Sequence, residues 1–469
     1  MFEAAGPEKT LSVFDAVAIV VGTVVGVGIF KTPSVVAANA SGAATALLFW
    51  LAGGLASLAG ALCYAELMCA YPHAGGDYHY LTRAFGRAPS FLYAWARIAV
   101  IQTGSIAMVA FLIGDYASVI FHLGPFSSSV YAALAVILFT AVNMAGIRQG
   151  KAAQIVLAAG IVAGLVTVSA LGLFLASSQP AGPAGSLVPE KQSLGTAMIF
   201  VLLTYGGWNE ASFLSAEIRA GRRNILKVLL ISVGCVTALY LLVNLVLLKG
   251  LGREAMASSG TVVADLMRLV LGAPGGAVTS VLILLAAAST LNAAMITGAR
   301  TAYALGRDCD VLAFLGRWQG ARHTPVNALL AQGAAALALV ALGTGAPDGF
   351  VMMVEYTAPV FWLFFLLVGL SVILLRQSRP QAPRPFSIPL YPLPPLVFIA
   401  VCGFLFYASL AYTGRGAWVG VGVLLSGLPL LIWRRKKTGG DTQRAKRKFR
   451  RPGISEHKIN GTDPLEDKR

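Results

Sequence analysis

Residues 13–37 read VFDAVAIVVGTVVGVGIFKTPSVVA, an apolar run that contains several glycines in its middle. Its length is close to the roughly 20 residues that cross a bilayer core as a helix. Gly26 and Gly28 lie inside the run, and Pro33 follows them. Glycine destabilises a helix interior by roughly 1 kcal/mol relative to alanine, and it permits unusual backbone angles. The stretch therefore predicts a membrane-spanning helix that is interrupted near residues 26–28.

The same glycines have a second interpretation. Small residues four apart let membrane helices pack closely against each other. A break has a stricter consequence, because backbone that leaves the helix inside a membrane must be buried in protein or face water. The first run alone does not distinguish the two interpretations.

A second interruption occurs in the sixth apolar run. Residues 204–210 read TYGGWNE, in which two adjacent glycines are followed by Trp208, Asn209 and Glu210. Paired glycines and an acidic residue do not favour a membrane helix. Paired interruptions at corresponding positions of two halves are the best sequence indication of a transporter binding site. The pairing favours a break in the first run as well.

Composition predicts an all-α membrane protein. Hydrophobic residues make up 57% of the chain and charged residues 12%, whereas a soluble domain carries about 25% charged residues. The apolar runs predict about twelve spans. Their predicted bounds are 13–37, 44–71, 95–121, 129–146, 152–177, 196–218, 226–248, 274–304, 326–343, 349–376, 393–413 and 416–433.

Lys and Arg are unevenly distributed among the connections between these runs. Short cytoplasmic loops carry an excess of them, and alternate connections contain clusters such as Arg222 with Arg223 or Arg379 with Arg384. The intervening connections hold few basic residues. Both termini are therefore predicted to be cytoplasmic, which agrees with an even number of spans in a plasma membrane.

The last segment of the chain is strongly basic. From Arg434 onward the chain has 13 Lys or Arg and 5 Asp or Glu. The resulting net charge of +8 is half of the net charge of +16 of the whole chain. A basic segment directly after a final span is typical of a topological anchor with affinity for anionic lipid. Residues 434–469 are predicted to be a disordered cytoplasmic tail rather than a nucleic-acid-binding segment. The five cysteines show no disulfide or zinc spacing, and no metal or cofactor is expected.

Two broken helices would offer complementary polar groups to a ligand. The amide groups that open a half-helix, together with the positive end of its dipole, suit a carboxylate. Carbonyl oxygens freed before a break accept hydrogen bonds from an ammonium group. A zwitterion would satisfy both. The offset of five spans between the first and sixth runs further predicts two units of opposite orientation.

Further motifs occur in order along nearly the whole chain. They are GVGIF at 26–30 with Pro33, ALCYAEL at 61–67, GGDY at 75–78, FLYAW at 91–95, YGGWN at 205–209, ALGRD at 304–308 and RPFSIPLYP at 384–392. This series resembles the amino acid-polyamine-organocation superfamily, especially its L-type amino acid transporter branch and bacterial relatives. The resemblance implies a leucine-transporter-type fold of five plus five inverted helices with two peripheral ones.

The resemblance also implies how the chain is divided. The expected parts are a cytoplasmic N-terminus at 1–12, a first repeat at 13–177, a second repeat at 196–376, two further spans at 393–433 and the tail at 434–469. The implied activity is secondary transport of amino acids by alternating access around the first and sixth spans. No enzymatic reaction is expected, and a bacterial inner membrane is the expected location.

The resemblance assigns a substrate site to the two breaks. Amides near Val27 and Gly28 would hold the substrate carboxylate, and the carbonyl oxygens of Val24, Leu203 and Gly206 would hold its amino group. The other residues of the expected site are Gly26, Tyr205, Gly207, Trp208 and Asn209. Val27 stands where the family usually has Ser or Thr, and Leu203 stands where it often has an aromatic gate. The preferred substrate side chain therefore stays open.

Acidic residues near the breaks allow more than one interpretation. Glu210 would attract a cationic side chain or carry a proton, because acids inside spans are rare and functional by default. It would equally pair with a neighbouring polar group beside the break. Glu66 lies nearer a cytoplasmic end, where pairing with Arg97, Arg219 or Arg300 is expected.

Ion coupling is only weakly encoded in the sequence. Several proton-coupled relatives carry a lysine in the fifth span, and residues 154–161 (QIVLAAGI) contain none. Ser289 and Thr290 in the eighth span offer oxygen ligands for sodium. Hydroxyls in a membrane helix commonly bond their own backbone carbonyls instead. Proton or sodium symport, exchange and uniport all stay open.

Partners and competing functions follow from the same resemblance. The connection 122–130 has no cysteine, whereas animal L-type members use one there to link a heavy chain, so no disulfide-linked heavy chain is expected. A homo-oligomer stays open. A neutral or broad-specificity amino acid is favoured, and a cationic amino acid or polyamine exchanger that uses Glu210 is the alternative. A receptor without transport would need a signalling domain.

Overall fold

The computed structural model describes residues 12–72, 76–144, 151–175, 193–210, 222–308, 312–317, 324–411 and 414–431. Every regular element of these ranges is a helix, as the composition predicts. Eight of the described helices are long and apolar enough to cross a membrane. The predicted all-α membrane class is confirmed at this level. The tail 434–469, nearly all of the N-terminal segment 1–12, and Arg219 lie outside the described residues.

The described helices are numbered in chain order. They are α1 (Val13–Val24), α2 (Gly28–Asn39), α3 (Ala43–Ala70), α4 (Asp77–Phe85), α5 (Arg87–Ala96), α6 (Thr103–Ile120), α7 (Ser127–Met144), α8 (Lys151–Leu175), α9 (Leu194–Thr204), α10 (Arg222–Leu251), α11 (Arg253–Ser258), α12 (Val262–Asp308), α13 (Val326–Gly343), α14 (Gly349–Ser378), α15 (Leu393–Ala411) and α16 (Arg415–Leu425). A π-helical segment, Arg97–Gln102, joins α5 to α6. A 3-10 turn, Trp208–Glu210, follows α9.

The first predicted span is interrupted where its glycines predict. Helix α1 ends at Val24 and α2 begins at Gly28. The Gly26 amide donates to the Val24 carbonyl at 2.7 Å, which closes a tight turn instead of extending α1. Pro33 lies inside α2. The interruption at residues 25–27 precedes it in the chain.

The sixth predicted span is interrupted in the same way. Helix α9 ends at Thr204, and Gly207 has a φ of +115°. This left-handed backbone conformation favours glycine, because a side chain would clash with the neighbouring carbonyl. The chain then resumes as the 3-10 turn Trp208–Glu210. The predicted break is therefore present at the adjacent glycines.

The third predicted span starts earlier than residue 95. Helix α5 begins at Arg87 and continues through the π-helical segment into α6, so that one apolar helix extends over Arg87–Ile120. Pro89 occupies the first turn, where its missing amide hydrogen costs nothing. The start was predicted too late because Arg87 is charged and a proline follows it, and both lower the apolar character of this part of the chain.

The eighth predicted span is the second part of a longer, bent helix. Helix α12 contains a non-helical residue, Gly272, with a φ of +72°. Pro274 follows it and removes one backbone donor. The predicted span 274–304 corresponds to the part of α12 after this bend.

Small residues bring the long helices close together. A Cβ added at Gly54 of α3 would lie 2.6 Å from the side chain of Thr237 on α10, and one added at Gly104 of α6 would meet Thr357 on α14. Small residues of this kind let backbones approach closely in membrane proteins. Helix α2 packs against α9, and this contact brings the two interrupted regions together.

Candidate functional site

Threonine side chains connect α2 to α9 next to both breaks. Thr32 Oγ1 lies 2.7 Å from Thr204 Oγ1, and Thr204 Oγ1 itself donates to the Phe200 carbonyl at 2.8 Å. The Thr32 hydroxyl is therefore the donor to Thr204. Gly28 makes the approach possible, because a Cβ there would lie 2.9 Å from Thr204 Oγ1.

The start of α2 presents backbone amides at the first break. Val27 is the N-cap residue of α2, and no side chain caps this helix end. The first amides of a helix have no acceptor within the helix, and together with the helix dipole they form an anion-binding site. The side chain of Val27 is apolar and has no hydrogen-bond donor, so a polar ligand here would bind the backbone amides.

Carbonyl oxygens end the two helices that precede the breaks. The Leu203 carbonyl accepts a hydrogen bond from the Gly206 amide at 3.0 Å. The hydroxyl of Tyr240 on α10 lies 2.9 Å from the Val24 carbonyl oxygen and 3.1 Å from that of Thr204. The sequence did not single out Tyr240, since an isolated tyrosine in an apolar run gives no signal of a partner 216 residues away.

Tyr205, directly after the end of α9, anchors the second break to neighbouring helices. Its hydroxyl donates to the Trp50 carbonyl of α3 at 3.0 Å. Its ring centroid lies 5.1 Å from that of Tyr240 and 6.2 Å from that of Trp50. Tyr205 is thus held in an aromatic cluster between α3 and α10.

Trp208 and Asn209 also have structural contacts. The Trp208 ring packs against Tyr64 and Phe365, with centroids 5.1 Å and 5.9 Å apart. Asn209 Oδ1 accepts a hydrogen bond from the Gly207 amide at 3.3 Å, which stabilises the left-handed turn. These two side chains fix the backbone of the second break, and their direct binding of a substrate stays a prediction.

The expected coupling residues lie in different places. Glu210 ends the 3-10 turn after the second break, and its side chain lies outside the described residues. The Thr290 hydroxyl donates to the Ala286 carbonyl of its own helix at 3.1 Å, which is the backbone-bonding alternative. Ser289 is half-buried beside it. A sodium-binding role for Ser289 and Thr290 stays a prediction.

A buried ion cluster joins α2 to two other helices. Lys31 Nζ lies 2.9 Å from Asp115 Oδ2 on α6 and 3.1 Å from Asp348 Oδ2 at the start of α14. Ser128 Oγ of α7 donates to Asp115 Oδ1 at 2.7 Å. The Lys31 side chain is 7% exposed. Lys31, Asp115 and Asp348 were not predicted as site residues, although ionised residues inside apolar runs are a functional signal.

Glu66 has different partners from those expected. It accepts hydrogen bonds from Nε and Nη2 of Arg376 on α14, the first at 2.7 Å, and from the Ile388 amide at 2.9 Å. Arg384 Nε lies 3.8 Å from it. The expectation of structural pairing is correct, but pairing with Arg97 or Arg300 is wrong. Helix α14 lies beside α3 at this end, and its register could not be deduced from loop charges.

Comparison with known proteins identifies the family of this chain. Residues 11–431 match the family model described as Amino acid permease. The chain belongs to the amino acid permease family. This result confirms the resemblance to the amino acid-polyamine-organocation superfamily, and it identifies the permease as a transporter rather than an enzyme.

Three relatives illustrate the similarity of this permease to known proteins. The b(0,+)-type amino acid transporter 1 of Mus musculus is 28% identical over 412 residues, which cover 86% of this chain and 83% of that protein. The Asc-type amino acid transporter 1 of Mus musculus is 26% identical over 444 residues, with coverages of 92% and 82%. The large neutral amino acids transporter small subunit 2 of Mus musculus is 25% identical over 449 residues, with the same coverages.

The contact between Gly28 and Thr204 gives a first testable prediction. Gly28→Ala is expected to destabilise the permease by about 1–3 kcal/mol through overpacking. The added methyl group pushes α2 away from α9, and this displacement of the first break is expected to slow transport. Thermal unfolding of the purified protein and uptake into liposomes measure the two effects. Gly234→Ala is the matched control, since a Cβ there would have nothing within 4 Å. Equal behaviour of the two variants would contradict the prediction.

Proposed function

We propose that this permease is a secondary active transporter of zwitterionic amino acids with neutral or broad side-chain selectivity. It works by alternating access around the interrupted helices α1–α2 and α9. The observation that carries the proposal is the meeting of the α2 amide end with the carbonyl ends of α1 and α9, next to the Thr32–Thr204 contact at 2.7 Å. A zwitterion complements these ends.

Each end of the substrate binds one kind of backbone group. Amides of Val27 and Gly28, at the positive end of α2, bind the carboxylate. Carbonyl oxygens of Val24, Leu203 and Gly206 bind the ammonium group. Backbone groups read only the amino acid core, so this part of the site is independent of the substrate side chain.

Selectivity for the substrate side chain rests on the remaining surface. Val27 and Leu203 are aliphatic, which favours neutral over cationic substrates. The relatives named for amino acid transport, among them one named for large neutral amino acids, support the same class. The alternative substrates are cationic amino acids or polyamines, with Glu210 as their partner.

The proposed topology has twelve spans with both termini in the cytoplasm of a bacterial inner membrane. Two inverted repeats occupy residues 13–177 and 196–376, and two further spans occupy residues 393–433. Eight of these spans correspond to described helices that are long and apolar enough to cross a membrane. The other four are the first, fifth, sixth and twelfth. The first span is interrupted, and the fifth, sixth and twelfth contain the shorter apolar helices Val162–Phe174, Leu194–Thr204 and Arg415–Leu431.

Reconstitution in liposomes tests the proposed function. Uptake of radiolabelled L-alanine, L-leucine, L-arginine and putrescine is measured with and without unlabelled internal amino acid, and with and without proton or sodium gradients. We expect saturable uptake of alanine or leucine that exceeds the uptake of arginine and putrescine.

The outcomes separate the candidate functions. Preferential uptake of arginine or putrescine would support the cationic alternative. Uptake that does not depend on internal amino acid would exclude obligatory exchange. Binding without uptake, by protein shown to be folded, would indicate a receptor, and neither binding nor uptake of any probe would refute the transporter proposal.

A further inference from the structure

Helix α2 is held by neighbours on two different sides. Thr32 contacts Thr204 of α9 at 2.7 Å. The adjacent Lys31 forms ion pairs with Asp115 of α6 and with Asp348 at the start of α14. Successive residues of an α-helix point about 100° apart, so the two contacts fix both the position and the rotation of α2. Lys31 also lies near the start of this helix, so the ion cluster moves together with the first break.

The cluster contains one positive and two negative side chains. Lys31 Nζ lies 2.9 Å from Asp115 Oδ2 and 3.1 Å from Asp348 Oδ2, so these two oxygens lie no farther apart than the sum of the two distances. Ser128 donates to the other Asp115 oxygen at 2.7 Å. The Val351 amide donates to the other Asp348 oxygen at 3.0 Å. Each carboxylate therefore keeps a second anchor if the lysine moves away.

Removal of the ammonium group changes what the two carboxylates bind. Two carboxylates this close repel each other when no cation lies between them, and one of them then binds a proton. The side chains of Asp115 and Asp348 are only 22% and 35% exposed, so water screens this repulsion incompletely. The step needs one H⁺ from the solution, which forms one O–H bond on a carboxylate oxygen.

We propose that this cluster is a proton-binding site that controls the movement of α2. With Lys31 in place, both carboxylates are ionised and α2 is held against α6 and α14. When α2 moves away, Lys31 leaves with it, and one proton takes its place between Asp115 and Asp348. Protons therefore favour the state in which α2 is released. The inference rests on the proposed function, in which α2 moves during alternating access.

Other ionisable side chains on the surrounding helices and connections have contacts outside the cluster. They are Tyr116, His122, Arg253, Glu254, Asp265 and Glu355. Their contacts in the described ranges are with one another, with Arg268 or Ser259, or with backbone groups. His122 is exposed, and histidine titrates near neutral pH without any special environment. A pH effect that arises from His122 would survive the removal of the Asp115 charge.

Uptake as a function of external pH tests the proton site. The probe is tritiated L-leucine, or the amino acid of the panel above that the wild type takes up fastest, at a concentration below KM and with the internal pH held constant. As the external pH falls from about 8 to about 5, we expect the rate to rise by up to about tenfold per pH unit, the limit for one bound proton. Asp115→Asn should flatten this dependence, because Lys31 then balances a single carboxylate.

Asp115→Glu and Asp265→Asn are the matched controls for uptake. The first keeps a carboxylate in the cluster, and the second removes one from the separate pair with Arg268. Both variants should keep the rise of the rate in acid. A flat profile of the wild type would overturn the inference. An Asp115→Asn profile as steep as that of the wild type would also overturn it and would assign the pH effect to another group, such as His122.

A measurement without substrate reports the movement of α2 itself. Ser34 of α2 is buried, so alkylation of Ser34→Cys by a maleimide requires α2 to move. Mass spectrometry of the peptide that contains position 34 gives the rate, which is divided by that of glutathione at the same pH. This ratio should rise as the pH falls, and Asp115→Asn should remove the rise. Tyr116→Phe, which removes a neutral contact with the Phe30 carbonyl, should raise the ratio equally at every pH.

The two measurements separate this inference from the proposed function. If the wild type takes up probes but neither uptake nor alkylation depends on Asp115 in acid, only the proton site is overturned. If the wild type takes up no probe, the proposed function fails and alkylation alone decides. A ratio that does not change with pH, or a rise that survives Asp115→Asn, would then overturn the proton site.

Discussion

Replacement of Lys31 with methionine is expected to destabilise the permease by about 3–5 kcal/mol, the usual cost of removing one partner from a buried ion pair. Two carboxylates, those of Asp115 and Asp348, would then face each other without the ammonium group that lies 2.9 Å and 3.1 Å from them. Methionine matches the length of lysine, so the loss is electrostatic rather than a cavity. The measurement is the fraction of monodisperse protein that survives heating.

An exposed ion pair provides the matched control for Lys31. Arg268 and Asp265 lie 2.7 Å apart, with side chains 47% and 28% exposed. Such pairs contribute about 0–1 kcal/mol, so Arg268→Met should melt close to the wild type. The double variant Lys31→Met/Asp115→Asn should recover part of the lost stability, because it removes the repulsion and keeps a partner for Ser128. A double variant less stable than the single one would contradict this explanation.

Glu66→Gln is expected to cost about 3 kcal/mol, because a neutral amide leaves the charge of Arg376 unpaired at a largely buried site. The Glu66 side chain is 4% exposed and also accepts from the Ile388 amide. The same variant should loosen the segment around Ile388, which becomes accessible to proteases. Thermal unfolding and limited proteolysis of the purified permease measure the two effects.

Glu254 offers the corresponding control. Its side chain is 39% exposed and lies 3.5 Å from Arg253, so Glu254→Gln should leave both the melting temperature and the proteolysis pattern unchanged. Glu66→Asp should fall between the wild type and Glu66→Gln, because it keeps the charge and shortens the reach. If Glu66→Gln has the same melting temperature as Glu254→Gln, the ion pair between Glu66 and Arg376 contributes little to stability.

The breaks could be predicted because their causes are local. Glycines at 26 and 28 and at 206 and 207 lower helix stability where they stand, and each interruption occurs at these residues. Hydropathy likewise predicted the helical class. The start of the third span was missed, because Arg87 is charged although it opens the helix.

The partners across the structure could not be predicted in the same way. Lys31 meets a residue 84 positions away, Tyr240 one 216 positions away and Glu66 one 310 positions away. Such pairs depend on helix register and crossing, which periodicity in a single sequence does not encode. The substrate-binding roles assigned to the breaks stay predictions for the same reason, since they concern a ligand that neither pattern nor packing specifies.

The π-helical segment Arg97–Gln102 sets the rotational phase of the third span. On the α5 side of it, Trp95 donates to the Val423 carbonyl at 2.9 Å, and on the α6 side, Asp115 binds Lys31. One residue corresponds to roughly 100° of rotation in an α-helix. Deletion of one residue between Trp95 and Asp115 would turn one of these faces away from its partner. The extra residue of the π-helical turn thus sets the rotation of α6 relative to α5, so that one continuous helix contacts both Val423 and Lys31.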